Sequence, residues 1–366
     1  MRRNSSLISQ DADVFEDTSV SRVQVYVRIR PIVQGDVTSI TRKGAVSVEA
    51  TDLTQVRVAD GKKEKIFQFD QVLPPEASNA EVYQVVGKPL VEASMTGLNS
   101  ILMAYGQTGA GKTHTLMASA DGLTTSVVSH IFALIGKDAA HSYAVTCSYL
   151  QIYQERVYDL LASEKSGTEV FLREHPKKGV YVENLSEYSV KSPEEIVRLL
   201  KSGKRRLAVA ETKMNRQSSR LLPAEEVTSL ATVSDKNSWG KDQTLFFSFS
   251  CDLAGSERVK KTKAAGERLQ EAQSINSSLL ELGNVIQALA EGTRRHIPYR
   301  NSVLTRLLQD GLDGNSKTSL IVCVSPSFRD VNETLCSLKF GLRAMKIHNV
   351  AQVNVNEVSR IFKKRK

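Results

Sequence analysis

Residues 106–113 read GQTGAGKT and satisfy the pattern G-x-x-x-x-G-K-T. The three glycines allow a tight turn whose backbone N–H groups point at phosphate oxygens. In this pattern Lys112 neutralises the β- and γ-phosphates, and the Thr113 hydroxyl ligates magnesium. The apolar run SILMAY at 100–105 precedes the loop, and the helix-compatible run HTLMASA follows it. This context favours a nucleotide-phosphate site over an accidental glycine-rich turn.

A second motif follows the apolar run TLFFSFSC at 244–251, which is succeeded by Asp252 and then LAGSER. A P-loop hydrolase needs an acidic residue at the end of a neighbouring strand and a group that contacts the γ-phosphate. Asp252 can hold magnesium through water. Gly255 can bring its backbone N–H close to a phosphate oxygen, because glycine has no side chain in the way.

A third stretch, NRQSSRLLP at 215–223, changes character halfway. Its first six residues carry the amide, hydroxyl and guanidinium groups that cluster around phosphate and magnesium, whereas Leu221, Leu222 and Pro223 do not. The stretch is either a polar loop after a helix or a nucleotide sensor with an altered second half.

The layout of the chain predicts a mixed α/β sheet with helices on both faces. Its 366 residues are 41% hydrophobic, enough to bury a large core. The spacing of Ile275, Leu279, Leu282, Ile286 and Leu289 predicts an amphipathic helix over 268–289. No Pro/Gly linker divides the sequence, so we expect one large domain. The apolar runs that read as strands cover 23–29, 100–105, 143–153, 244–251 and 319–325.

The composition limits which kinds of partner and which cellular compartment are expected. A net charge of +9 favours acidic partners, which include nucleic acid, anionic membranes and acidic proteins. The four cysteines lack C-x-x-C spacing, which argues against zinc or a disulfide framework and favours a reducing cytosol. No apolar run approaches the roughly 20 residues that span a bilayer. Residues 1–20 are polar and are expected to be flexible.

Five segments of the chain form a characteristic set: VYVRIRP (25–31), GQTGAGKTHT (106–115), NRQSSR (215–220), DLAGSER (252–258) and HIPYRNSVLTRLLQDGLDGNSKT (296–318). Together they closely resemble the kinesin motor domain, and the resemblance extends from about Arg22 to Asn354. It implies a P-loop NTPase fold with a central mixed, mainly parallel β-sheet flanked by helices on both faces. It also implies a motor domain at 21–345, a neck linker at 346–357 and the start of a neck or stalk at 358–366, after the N-terminal extension 1–20.

The function implied by the resemblance is an ATP-driven microtubule motor. Such a motor uses ATP/ADP and Mg²⁺, docks its neck linker when ATP binds, and is associated with microtubules in the cytoplasm. A neck linker placed after the motor core implies plus-end direction. Two alternatives remain open: a non-motile or weakly hydrolysing microtubule-binding module, and a P-loop enzyme acting on a small molecule.

The resemblance also assigns roles residue by residue. Glu257 would pair with Arg220 to close the γ-phosphate pocket, and Asn215 would help to hold the loop. The adenine would lie against Arg28, Arg30, Pro31 and His114. The phosphates would lie in the loop formed by Gly106, Gln107, Thr108, Gly109, Ala110, Gly111, Lys112 and Thr113. The hydrolytic residues would be Ser218, Ser219, Arg220, Gly255 and Glu257. The magnesium residues would be Thr113, Ser219 and, through water, Asp252.

Towards the filament, the resemblance implies that the helix at 268–289 acts as a relay that lies on the microtubule. Sequence beyond Lys366 could mediate dimerisation, and neither nucleic-acid binding nor membrane insertion is expected. The basic face that would meet tubulin comprises Lys177, Lys178, Lys260, Lys261, Lys263, Arg300 and Arg306. The neck-linker positions that match are Ile347, Asn349, Val353 and Asn354.

The sequence departs from the family pattern at two places. In the nucleotide sensor, Leu221-Leu222-Pro223 replaces Ser-His and the start of a strand, which predicts slow or unusual closure. On the filament side, Ser277 and Val303 stand where cations are usual, and Asn301 stands where Asp is usual. Two lost cations predict weaker attraction to tubulin, since exposed ion pairs contribute about 1 kcal/mol or less each.

Overall fold

A computed structural model describes residues 18–33, 36, 48–59, 63–118, 121–139, 143–163, 168–176, 179–214, 230–236, 242–250, 267–292 and 296–352. The strands are β1 (Thr18–Arg22), β2 (Gln24–Ile29), β3 (Val48–Ala50), β4 (Gln55–Ala59), β5 (Glu64–Gln68), β6 (Gln71–Leu73), β7 (Ser100–Tyr105), β8 (Tyr143–Cys147), β9 (Leu150–Tyr153), β10 (Arg156–Asp159), β11 (Thr168–His175), β12 (Gly179–Glu183), β13 (Tyr188–Val190), β14 (Leu230–Lys236), β15 (Asp242–Ser250), β16 (Lys317–Val324) and β17 (His348–Gln352).

Helices occupy much of the remaining described chain. A π-helical turn (Tyr83–Gly87) joins the first two, and 3-10 turns form at Tyr299–Asn301 and Phe328–Asp330. Within these ranges, every helix is too short or too polar to cross a lipid bilayer. The helices are α1 (Asn79–Val82), α2 (Lys88–Met95), α3 (Lys112–Met117), α4 (Leu123–Ile135), α5 (Pro193–Met214), α6 (Glu267–Glu291), α7 (Val303–Leu307), α8 (Gln309–Asp313) and α9 (Val331–Ala344).

The central sheet has the strand order β13-β8-β14-β15-β7-β16-β2-β6. The pairings from β15 through β7, β16 and β2 to β6 are parallel. The pairings from β13 through β8 and β14 to β15 are antiparallel. The predicted mixed α/β sheet is therefore confirmed.

Helices cover both faces of this sheet, and each face has its own apolar core. Helices α1, α2, α4 and α5 pack on one face, and α6 and α9 pack on the other. Every residue of β7 is buried, as is every residue of β16 after Lys317. This explains their nearly continuous apolar sequences, because a parallel strand between two helical layers has no solvent face.

The carboxyl ends of the three central parallel strands lie together at one edge of the sheet. Val322 of β16 is in register with Tyr105 of β7, and Val324 of β16 is in register with Ile29 of β2. The segments that follow β2, β7 and β16 therefore leave the sheet side by side, at the edge where open α/β sheets bind ligands.

Three smaller sheets surround the central one. One is antiparallel in the order β12-β11-β10-β9, and another contains β3, β4 and β5. The third pairs β1 with β17, with Arg22 opposite His348. The sequence prediction put residues 18–20 in a flexible extension, but these residues form the first part of β1.

Two elements predicted from the sequence can be compared directly with the structure. The helix predicted over 268–289 is confirmed as α6, Glu267–Glu291. The single strand predicted over 143–153 is wrong, because the run contains β8 of the central sheet and β9 of a smaller sheet. The chain changes sheets at Ser148 and Tyr149, and Tyr149 is fully buried. An apolar run does not reveal such a change, since β8 and β9 both bury apolar side chains.

Two helix-interior glycines should respond oppositely to alanine. Gly203→Ala should destabilise the fold by about 1 kcal/mol or more, since its Cβ would lie 2.4 Å from Cδ1 of the buried Tyr149 ring. Gly283→Ala should stabilise it by about 0.5–1 kcal/mol, because the described part of the chain, apart from the backbone of α6 itself, has no atom within 4 Å of its Cβ position, and alanine favours helix. Urea denaturation measures both, and equal stabilisation by the two variants would contradict the tight packing at Gly203.

Candidate functional site

The loop at 106–111 joins β7 to α3 and requires its glycines. The φ angles are +151° at Gly106, +77° at Gly109 and +98° at Gly111, all of them disfavoured for other residues. A Cβ at Gly106 would lie 2.2 Å from the carbonyl oxygen of Cys323 in β16. The loop therefore leaves the sheet against the backbone of the neighbouring strand.

Lys112 points back into the curve of this loop. Only 5% of its surface is exposed, and its ammonium group donates to the carbonyls of Gly106 (2.9 Å) and Gln107 (3.0 Å). A buried ammonium needs such acceptors, and an ionised phosphate oxygen forms a stronger hydrogen bond than a neutral carbonyl does. The side-chain oxygen of Gln107 is buried with no hydrogen-bond partner in the described part of the chain. The Lys112 ammonium thus fits a bound phosphate group, whereas the Gln107 side-chain oxygen, itself an acceptor, does not contribute to anion binding.

The other residues of the loop and of the start of α3 differ in solvent exposure. Thr113 and His114, in the first turn of α3, are exposed, as are Thr108 and Gly109, whereas Ala110 is buried with Lys112. The exposed side chains form the outer rim of the loop, and the buried lysine lies behind them.

Arg28, in β2, lies behind the loop, and 8% of its surface is exposed. Its guanidinium group donates to Asn79 Oδ1 (2.5 Å), Thr115 Oγ1 (2.8 Å) and the carbonyl of Ala77 (3.1 Å). Burial lowers the pKa of Arg28, but arginine remains charged in proteins. The structure therefore brings Arg28 to the base of α3, with little of its surface open to a ligand.

Asn79 is a site residue that the sequence analysis missed. It is 2% exposed, and its amide donates to the carbonyl of His114 (3.1 Å) while its oxygen accepts from Arg28. Thr115 completes the network by donating to the carbonyl of Gly111 (2.8 Å). The Ser78–Glu81 capping box marks the start of α1 in the sequence, but nothing in that motif indicates the partners of Asn79.

Arg30 lies on the outer rim, in the segment that follows β2. It pairs with Asp36 (2.6 Å) and donates to Ser325 Oγ (2.9 Å), in the segment that follows β16. The hydrogen bond from Arg30 is the main cause that lowers the pKa of Asp36. Pro31 is exposed beside this pair. Arg30 thus ties together two of the chain segments that leave the sheet at this edge.

The predicted residues of the nucleotide sensor and of the second motif lie outside the described residues. β15 runs parallel to β7, with Ser250 in register with Met103, so the strand that precedes the second motif is adjacent to the loop strand, as predicted. The residues outside the described ranges are Asn215, Ser218, Ser219, Arg220, Leu221, Leu222, Pro223, Asp252, Gly255 and Glu257.

Of the basic face, the structure describes Arg300 and Arg306. Both donate to one carboxylate oxygen of Glu174 in β11, at 3.3 Å and 2.8 Å. The Arg300 side chain is 75% exposed and that of Arg306 is 27% exposed. The lysines of that face, Lys177, Lys178, Lys260, Lys261 and Lys263, lie outside the described residues.

The departures on the filament side take part in local contacts. Asn301 donates to Glu281 of α6 (2.8 Å), a contact in which an aspartate would place two carboxylates together. The backbone N–H of Val303 donates to the Glu155 carboxylate (2.6 Å) at the start of α7. Ser277 is exposed on α6. The altered residues at 301 and 303 thus have partners on α6 and in the turn between β9 and β10.

Comparison with known proteins identifies relatives over nearly the whole chain. The family model that matches is the kinesin motor domain, over residues 28–347. The kinesin-like protein KIN-12E of Oryza sativa subsp. japonica is 40% identical over 370 positions, covering 95% of this chain and 19% of that protein. The kinesin-like protein klp-20 of Caenorhabditis elegans is 40% identical over 348 positions, covering 91% of this chain and 52% of that protein. The chain thus spans about half or less of the length of these relatives.

Solved structures give the same result. A fast kinesin, described for its ATPase mechanism and its interactions with microtubules, aligns with a TM-score of 0.82 and 36% identity over 92% of this chain and 94% of that chain. A KIF14 dimer with AMP-PNP in complex with a microtubule aligns with a TM-score of 0.81 and 33% identity, over 94% of this chain and 100% of that chain.

Asn79→Ala should lower the free energy of unfolding by about 2–3 kcal/mol, because it removes an acceptor from a buried charged group and leaves the His114 carbonyl without its donor. Asn284→Ala is the control, since Asn284 is exposed and its contact with Glu281 is long (3.4 Å). Chemical denaturation checks both. Equal, small effects would show that Asn79 does not support Arg28.

Proposed function

This chain belongs to the kinesin family, and we propose that its motor domain binds and hydrolyses ATP and couples hydrolysis to microtubule binding. The observation that carries the proposal is the loop at 106–111, with Lys112 buried inside its curve at the ligand-binding edge of the sheet. Family membership supplies the partner and the reaction, since one structural relative is described in complex with a microtubule and AMP-PNP.

For the nucleotide, we propose that the loop cradles the phosphates, with Lys112 turning from the two carbonyls towards the β- and γ-phosphates. Pro31 and His114 are exposed at the rim and are suited to contact the adenine. Arg28 is nearly buried and is hydrogen-bonded to Asn79 and Thr115. It is therefore better suited to support the start of α3 from behind the adenine than to stack fully on the adenine ring. Arg30 would hold the rim through Asp36.

Thr113, at the exposed start of α3, and Ser219 would bind magnesium directly, and Asp252 would do so through water. A magnesium ion, when bound, neutralises charge on the phosphates. The hydroxyls of Ser218 and Ser219 would then face the γ-phosphate side, and the Gly255 N–H would bond a γ-phosphate oxygen. Glu257 and Arg220 would form an ion pair that closes the pocket and orients the attacking water, since phosphoryl transfer depends mainly on positioning and charge stabilisation.

For the mechanical output, we propose residues 21–345 as the motor domain, 346–357 as the neck linker and 358–366 as the start of a neck or stalk. The pairing of β17 with β1 is the contact expected of a docked linker. Asn349 supports this, because its buried amide donates to the carbonyls of Gly311 (2.9 Å) and Ser316 (3.0 Å). A linker docked along the core in this way suits plus-end-directed movement.

The second candidate is a microtubule-binding module that hydrolyses ATP weakly or without movement. Two observations favour it: the Leu221-Leu222-Pro223 departure, and the pairing of Arg300 and Arg306 with Glu174, which occupies two of the cations proposed to contact tubulin.

Lys112→Ala should weaken binding of a fluorescent ATP analogue by roughly a hundredfold or more, because it removes the buried cation that meets the phosphates. Lys137→Ala, an exposed lysine after α4, is the matched control and should bind as the wild type does. Equilibrium fluorescence titration provides the measurement. Unchanged affinity in the Lys112 variant would refute the assignment of the loop.

Steady-state phosphate release with and without microtubules separates the two functions. A motor should be stimulated by roughly tenfold or more, whereas turnover unaffected by saturating microtubules would favour the module.

Glu257→Ala should keep ATP binding but lose roughly a hundredfold or more of turnover, because the closing ion pair is lost. Glu187→Ala, an exposed acid in the loop before β13, is the control. Normal turnover in the Glu257 variant would show that its pair with Arg220 is not catalytic.

A further inference from the structure

One carboxylate, that of Glu174, holds two of the arginines proposed to face tubulin. Its Oε2 atom accepts from Arg306 Nη2 at 2.8 Å and from Arg300 Nη2 at 3.3 Å. The three side chains come from separate elements: β11, the 3-10 turn at Tyr299–Asn301, and α7. The Glu174 side chain is 47% exposed, so the shared carboxylate is itself part of the surface.

This arrangement changes what an acidic partner meets at the surface. Two guanidinium groups alone would present two positive charges, but the carboxylate reduces the local sum to one and turns an N–H group of each arginine inward. An acidic partner must then bring its own carboxylates close to Glu174, and like charges at short range repel when they are only partly screened. The same contact therefore weakens attraction and adds repulsion.

We propose that Glu174 limits the affinity of this surface for the acidic surface of tubulin by occupying Arg300 and Arg306, an inference that rests on the proposed microtubule-binding function. Glu174 is thus a residue that sets the affinity for the filament. Its removal frees both arginines for the partner without altering either of them.

The same sheet supplies a matched control in Glu183. It also pairs with an arginine, since Arg173 Nε donates to it at 2.9 Å, and its side chain is 39% exposed. Glu183 is in register with Phe171 of β11, three residues from Glu174, so the two acids lie on opposite faces of the sheet. Replacing either one by glutamine raises the net charge of the chain by one, which separates a local effect from a general one.

The test is cosedimentation of the 366-residue chain with microtubules in the presence of AMP-PNP, at several salt concentrations. Glu174→Gln should lower the Kd by roughly threefold to tenfold at low salt, the scale of one or two partly exposed ion pairs, and the gain should shrink as salt is added. Glu183→Gln should change the Kd by less than twofold. Equal gains in the two variants would reduce the effect to net charge and overturn the proposal, as would no gain in Glu174→Gln.

A double-mutant cycle tests the route of the effect. In a chain that carries Arg300→Gln and Arg306→Gln, adding Glu174→Gln should produce a clearly smaller gain than in the wild type, because only the repulsion by the carboxylate is removed and no guanidinium remains to be freed. A gain as large as that in the wild-type background would overturn the proposal. If the wild type binds and the Glu174 variants behave as their controls do, the inference fails while the proposed function stands. If neither the wild type nor any variant binds microtubules, the proposed function fails and the inference fails with it.

Discussion

The contact between Gly106 and the carbonyl of Cys323 is the constraint on which the site depends. It exists because β7 and β16 are adjacent, parallel and in register, so that the chain leaving β7 turns directly over the backbone of β16. A side chain at residue 106 would push the loop off the sheet. The loop curve, the inward position of Lys112 and the start of α3 all follow from this close approach.

Behind the loop, the structure buries two cations without a buried carboxylate among the partners described above. Lys112 is held by backbone carbonyls, and Arg28 by an amide, a hydroxyl and a carbonyl. Neutral oxygens satisfy the hydrogen bonds of these two cations but do not themselves cancel their charge, which favours an anion at this site.

The surface that contains residues 300–306 differs from the loop site, because its arginines are paired with a carboxylate. There, Glu155 of the β9–β10 turn, Glu174 of β11 and Glu281 of α6 each contact this short segment. Their carboxylates fix the start of α7, two arginines and the turn against α6. The surface is thus held together by charges that offset one another, at the expense of positive charge available to a partner. Because Glu281 lies on α6, a shift of that helix would directly change its hydrogen bond with Asn301.

The sequence by itself determined the local chemistry. The spacing of GQTGAGKT specified the loop, the three-and-four periodicity specified α6, and the apolar runs specified the central strands, because each pattern depends on near neighbours along the chain. Only the tertiary structure decided which distant groups meet. It split the run 143–153 between two sheets, paired residues 18–20 with β17, buried Arg28 against Asn79 and joined Arg300 and Arg306 through Glu174. Such contacts join residues dozens or hundreds of positions apart, so no local pattern encodes them, and they form only when the strands and helices have packed.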